Sequence, residues 1–140
     1  MEIKLADNQK DFFALIQLRR DVFVNEQKVD INIEMDDYDL TALHFVVWEN
    51  RQVVATCRLV VNEFQAKLGR MAIALPFRHR KIGSLLLAYV ENYARENAIK
   101  KIIVAAQIQA LDFYLYNHYL ETSEIFYEAN IAHKMVEKIL

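Results

Sequence analysis

The apolar positions of this chain follow two periods, and the switches between them mark out its elements. Between Ile82 and Asn97, Ile82, Leu85, Leu86, Tyr89, Val90, Tyr93 and Ala94 recur at i, i+3, i+4 and i+7, which predicts an amphipathic helix. A second helix is predicted from Asp7 to about Val24, where Phe12, Phe13, Leu15, Ile16 and Phe23 share that spacing and Asp7 or Asn8 can cap the start. The segment 25–40 is polar and acidic and reads as a loop or a broken helix. Runs rich in β-branched and aromatic residues predict strands at 3–5, 43–48, 53–61 and 66–74, the middle two joined as a hairpin across Glu49–Gln52. Leu68, Met71 and Ile73 are the expected core positions of the fourth. The apolar run 102–106 predicts a strand covered on both faces, and 109–119 a further helix. A closing hairpin is expected from 122–128 and 131–137, turning at Ala129-Asn130. The order β-α-β-β-β-α-β-α-β-β describes one α+β domain spanning 1–140.

Composition narrows the class of molecule. Apolar residues are 54% and charged residues 26%, as in a globular domain, and the formal net charge is −2. No basic balance points to nucleic acid. No apolar stretch approaches the ~20 residues of a membrane helix, and Met1-Glu2-Ile3-Lys4 opens no signal segment. One cysteine, Cys57, cannot form an internal disulfide and is expected to be buried. A cytoplasmic protein is the expectation. His44, His79, His118 and His133 are scattered without zinc spacing, so no metal is expected.

Candidate chemistry gathers where the scarce backbone punctuation lies. Two glycines and one proline, Gly69, Gly83 and Pro76, fall in one short stretch. Gly83 is in the first turn of the strongest predicted helix, where alanine is favoured by about 1 kcal/mol, so something is expected to approach the backbone there. Free N–H groups at a helix start form an anion site, and Arg78, Arg80 and Lys81 add positive charge beside His79, Ile82 and Ser84. The segment 78–84 reads as a diphosphate cradle, or alternatively as a solvated basic loop leading into a core helix. With two glycines, neither G-x-G-x-x-G nor a Walker loop can be written.

The run from Arg70-Met71-Ala72-Ile73 through Arg78-His79-Arg80-Lys81-Ile82-Gly83 resembles the R/Q-x-x-G-x-G/A signature of the GNAT acetyltransferases, with Lys81 at the first glycine. If that position needs positive φ, lysine costs on the order of 1 kcal/mol; if it takes helical geometry, Lys81 helps to neutralise phosphate. The resemblance implies a central mixed, mostly antiparallel twisted sheet flanked by helices. It also implies acetyl-coenzyme A as cosubstrate, its pantetheine arm along Met71, Ala72 and Ile73 and its pyrophosphate on 78–84.

Gln107-Ile108-Gln109-Ala110-Leu111-Asp112-Phe113-Tyr114 is similar to the family's N-x-x-A-x-x-[LF]-Y, with Gln107 for asparagine. Gln107 is thereby drawn into the cofactor site, and Tyr114 takes the place of the acid that protonates the departing thiolate. A tyrosine packed in the core is the plainer reading of that position. Leu18 to Gln27, followed by Glu34, Asp36, Asp37 and His44, is similar to the ElaA-like branch. The implied reaction is direct attack by a primary amine of a small molecule or peptide. Glu34 is the expected proton acceptor, with Asp36, Asp37 and His44 as further candidates, against a solvated acidic loop that merely attracts a cation. The implied assembly is a monomer or homodimer. Two alternatives stand beside this: an acyl-homoserine-lactone synthase, sharing a pattern like Arg20, Phe23, Glu34, Asp36, Asp39 and Arg58, and a non-catalytic coenzyme A-binding module.

Overall fold

In the computed structural model, which describes residues 1–140, one eight-stranded sheet runs in the order β1-β2-β3-β4-β5-β8-β6, with β7 also paired to β8. The strands are β1 (Glu2–Leu5), β2 (Leu43–Glu49), β3 (Gln52–Asn62), β4 (Gln65–Ile73), β5 (Lys101–Gln107), β6 (Leu120–Glu121), β7 (Phe126–Glu128) and β8 (Ile131–Ile139). The helices are α1 (Gln9–Arg19), α2 (Ile31–Glu34), α3 (Ile82–Glu96) and α4 (Leu111–Tyr116). Every strand pair is antiparallel except β4 with β5. The sheet is therefore mixed and mostly antiparallel, and α3 is the crossover that a parallel pair needs.

Two cores lie on opposite faces. On one, Leu86, Leu87, Val90 and Ala94 of α3 pack on Phe45, Leu59, Leu68 and Val104 of the sheet. On the other, Leu15, Leu18 and Val22 pack on Val46, Val53 and Ala72. The apolar stripe of α3 is rotated from the one its periodicity predicts: Leu85 and Tyr89 are exposed, whereas Gly83 and Leu87 are buried. Phe13 of α1 is likewise exposed, and Leu18 takes a core place. β5 is closed on one face only. Ile102, Val104 and Ala106 are buried, while Ile103 and Ala105 are half-buried, because α1 stops short of covering that part of the sheet.

Other departures concern the ends of elements. Asn8 caps α1 by accepting from the Asp11 N–H at 2.8 Å. The helix ends at Arg19 and the chain continues through a π-helical segment, Arg20–Glu26, where Gln27 N–H reaches back five residues to the Val22 carbonyl. Such wide turns concentrate at functional sites. The predicted helix 109–119 contracts to a 3₁₀ turn and α4, and the predicted strand 122–128 shortens to β7, with β6 lying just before it. Two of the three tight hairpin turns use a pair of left-handed non-glycine residues, Asn50-Arg51 and Ala129-Asn130, and the third, between β3 and β4, has one, Glu63, backbone that two-residue hairpins favour.

One irregularity positions the site. Arg58 pairs with Gly69 and Thr56 with Ala72, so β4 spends one residue more than β3 between these rungs. This bulge holds Arg70 at φ 53° and bends the strand. Pairing of β4 with β5 ends just before it, at Leu68 with Val104. Beyond that rung the two parallel strands part.

Candidate functional site

The opening between the parted strands is a cleft of about 870 Å³, lined by Gly69 to Ile73 of β4 and by Val104 to Gln107 of β5. Met71, Ala72 and Ile73 all lie on its wall. Ala74 N–H donates to the Val54 carbonyl of β3 at 2.8 Å. Strand alternation then turns the backbone of Ile73 away from β3, toward the cleft.

At one end lies the turn before α3. Pro76 sits in a 3₁₀ turn, Leu75–Phe77, and Arg78 is extended. His79 and Lys81 both adopt left-handed backbone, at φ 62° and φ 63°. Of the two geometries open to Lys81, the structure adopts the strained one, which costs a non-glycine residue about 1 kcal/mol. No side chain caps α3, and its first carbonyl, that of Lys81, is reached only by Leu85 N–H. The N–H groups of Ile82, Gly83 and Ser84 thus lack helical partners, with Lys81 on the cleft wall and Arg80 resting on the Phe77 ring at 5.3 Å.

Arg78 is engaged differently. Its Nε donates to the Ile73 carbonyl at 2.9 Å, and its two amino groups bind both oxygens of Glu26 at 2.6 and 2.7 Å. That pairing holds the Glu26 carboxyl below its ordinary range. Two of the three cations of the turn, Arg80 and Lys81, are left without a carboxylate partner.

What comes close to Gly83 is protein. A Cβ there would meet Ile73 Cδ1 at 3.0 Å and Phe113 Cε1 at 3.2 Å. The missing side chain lets β4, α3 and α4 meet at the cleft. Asn117 fixes the same corner by donating to Ser84 Oγ at 3.3 Å.

Tyr114 is 4% exposed, with its ring edge-on to Phe113 and Tyr119. Its hydroxyl has no hydrogen-bond partner in the protein, yet no buried polar side-chain atom is left without one. The hydroxyl therefore reaches the open volume of the cleft that Tyr114 lines. Burial pushes its ionisation up, so the phenol keeps its proton. Cys57, also buried, is pushed up by the same cause and remains a thiol.

Gln107 Nε2 donates to Gln27 Oε1 at 2.8 Å, and its own oxygen accepts from Gln109. Residues 26 and 27, at the end of the π-helical segment, thus hold both lips of the cleft, through Arg78 on one side and Gln107 on the other. The residues of the Gln27–Gln107 pair stand 80 positions apart, beyond the reach of any local spacing. His133 was also missed as a lining residue; its ring stacks on Phe126 and its Nδ1 donates to the Ile131 carbonyl at 2.6 Å.

The acidic segment forms the other end, and three of its carboxylates, Glu34, Asp36 and Asp39, are bound by guanidiniums rather than solvated. Arg19, 1% exposed, donates to Glu34 at 2.7 Å and to Asp39 at 2.7 Å. Arg58 donates to Asp36 and Asp39, each at 2.7 Å, and Arg70 to Asp36 at 3.2 Å and to the Glu34 carbonyl at 3.0 Å. Arg19, rather than its exposed neighbour Arg20, is the arginine that enters this network. Burial works against the charge on Asp39, but the bonds from Arg19 and Arg58 outweigh it and hold the carboxyl well below its ordinary range. Asp36 is lowered by its bond from Arg58. His44, buried beneath the Phe12 ring, donates from Nε2 to the Asp39 carbonyl at 3.0 Å; burial lowers its pKa, so it stays neutral. Asp37 remains exposed and does not line the cleft.

Comparison with known proteins gives a consistent result. The sequence profile of the Acetyltransferase (GNAT) family matches residues 11–118. The Bacillus subtilis (strain 168) protein YyaT is 30% identical over 99% of this chain and 95% of its own length. The N-acetyltransferase YjcF of the same organism is 28% identical over 99% of both chains. The crystal structure of Escherichia coli ElaA, 26% identical, superposes over 99% of both chains with a TM-score of 0.88.

Proposed function

The chain belongs to the Acetyltransferase (GNAT) family, in its ElaA-like branch, and on that footing we propose that it transfers an acetyl group from acetyl-coenzyme A to a primary amine by direct attack in a ternary complex. Acyl transfer is the family's reaction; the acetyl donor and the amine acceptor, a small molecule or a peptide, are our reading. The observation that carries it is the Tyr114 hydroxyl, protonated and unpartnered, opening into a cleft that ends at uncapped helix amides.

The residues present fit the cosubstrate. The N–H groups of Ile82, Gly83 and Ser84 suit a diphosphate, and Lys81, Arg80 and His79 surround them with donors. Arg78 serves by bracing this turn through Glu26 and Ile73. Met71, Ala72 and Ile73 line the path of an amide-bearing arm, Met71 and Ile73 facing the cleft with the Ile73 carbonyl already held by Arg78, and Gln107 also lines the opening. Acetyl-coenzyme A, when bound there, supplies an acyl group activated as a thioester.

The chain's own groups then have separable tasks. Strand N–H groups of Met71 to Ile73 donate to an acyl oxygen that gains negative charge. Tyr114, held in its protonated form, donates to the departing thiolate, and the phenolate left behind, the stronger base, is reprotonated afterwards. Glu34 receives the amine's proton through water, since Arg19 occupies only part of the lone-pair capacity of its two oxygens.

Tyr114→Phe tests the reading. We expect kcat to fall about 100-fold, the low end for loss of a general acid, with acetyl-coenzyme A affinity by calorimetry unchanged. Unchanged kcat would remove Tyr114 from the reaction. Binding without turnover on any amine would favour the non-catalytic module.

A further inference from the structure

The acceptor end of the cleft is electrically closed, and that bears on what can dock there. Glu34, Asp36 and Asp39 are the carboxylates of this wall, and each is bound by one or two of the guanidiniums of Arg19, Arg58 and Arg70. Three negative and three positive charges cancel. Glu34 and Asp39 are each only 6% exposed, which keeps them from a bulky polar partner. Two further charges line the cleft and are exposed, Lys67 of β4 and Glu128 of β7, and they are opposite in sign. A polycation would find no free carboxylate among Glu34, Asp36 and Asp39, and the one unpaired carboxylate of the cleft, Glu128, is matched by Lys67.

What the wall does present is apolar. Ile33 and Tyr38 line the cleft and are 51% and 60% exposed. Met35 and Leu40, on the same short segment, are also exposed. Large side chains left open beside a cleft mark a contact surface. Gly69, across from them at the bulge, has nothing within 4 Å of where its Cβ would stand, so the wall is recessed at that point.

We infer that the acceptor is a primary amine carried on an apolar or aromatic body, rather than a polycation. This rests on the acyl-transfer reading of the cleft and specifies its second substrate. Desolvation against such a wall disfavours the ammonium form, so the surface that selects the body also favours the free amine that attacks. Removal of the proton then falls only lightly on Glu34.

The test is thiol release from acetyl-coenzyme A with 2-phenylethylamine, tyramine and spermidine, at low and high salt. The expected result is a kcat/KM for the aryl amines roughly 10-fold or more above that for spermidine, the scale on which apolar pockets discriminate, with little salt dependence. Ile33→Asp, at an exposed position, should lower kcat/KM for 2-phenylethylamine roughly 10-fold while calorimetric acetyl-coenzyme A affinity is retained. Preference for spermidine, with activity falling steeply as salt screens the attraction, overturns the inference. So does an absence of turnover of the aryl amines by protein that still binds acetyl-coenzyme A. Failure to bind acetyl-coenzyme A at all would instead overturn the underlying reading of the cleft.

Discussion

The two ends of the cleft handle charge in opposite ways. Around the turn 78–84, two cations stand without carboxylates, the helix amides are uncapped, and His79 and Lys81 hold strained backbone. Around Glu34 to Asp39, every cleft-lining carboxylate is bonded to a guanidinium and the charges balance. Unspent charge is what a site for an anionic ligand needs. Spent charge is structural: it fixes the shape of a wall and leaves selectivity to the apolar groups around it. Sequence proximity of like charges does not distinguish the two, because the partners of the second group come from α1, β3 and β4.

The difference can be broken at its strongest point by Arg19→Met. Removing one partner from a buried ion network leaves Glu34 and Asp39 uncompensated, and about 3–5 kcal/mol of stability is expected to be lost, measurable by urea denaturation. A loss below about 1 kcal/mol, the range of surface pairs, would mean that the network is solvated after all.

Acid should act on the same wall in two stages. His44 has a folded pKa lowered by burial, so its contribution is present above its unfolded value, near pH 6.5, and is lost as pH falls below that. Asp36 and Asp39 are also depressed, so their stabilisation is present above about pH 4 and is lost as pH falls through their folded values. His44→Gln should remove the upper stage and leave the lower one. Retention of both stages would assign the upper one to another group.

The smallest effect belongs to the other end. Lys81→Gly should raise stability by up to about 1 kcal/mol by relieving left-handed strain, while acetyl-coenzyme A affinity falls a few-fold with the lost charge. Opposite signs are the point of this variant. If both quantities fell together, Lys81 would be a structural residue and not an unspent cation.

The elements most legible in the sequence were those governed by local period and turn chemistry. The β2–β3 hairpin, α3 and the turn at Ala129-Asn130 lie where alternation, helical spacing and turn residues placed them. The rotation of the α3 stripe was not legible, because Leu85 and Leu87 are alike in kind and only packing on the sheet decides between them. Gly83 stood out as a constrained position, but the constraint comes from Ile73 and Phe113. The bulge at Arg70 left no signal, since the left-handed residue there is not a glycine, although Gly69 stands beside it. Arg78 counted as a free cation until the fold brought Glu26 to it, from 52 positions away.

The central claim is that acetyl-coenzyme A lies between the parted ends of β4 and β5, with its diphosphate on the amides that open α3. Amide hydrogen exchange with and without acetyl-coenzyme A measures this residue by residue. The account predicts new protection at Ile82, Gly83 and Ser84 and along Met71 to Ile73. Binding that leaves these amides exchanging as before, or that protects a different surface, would contradict it.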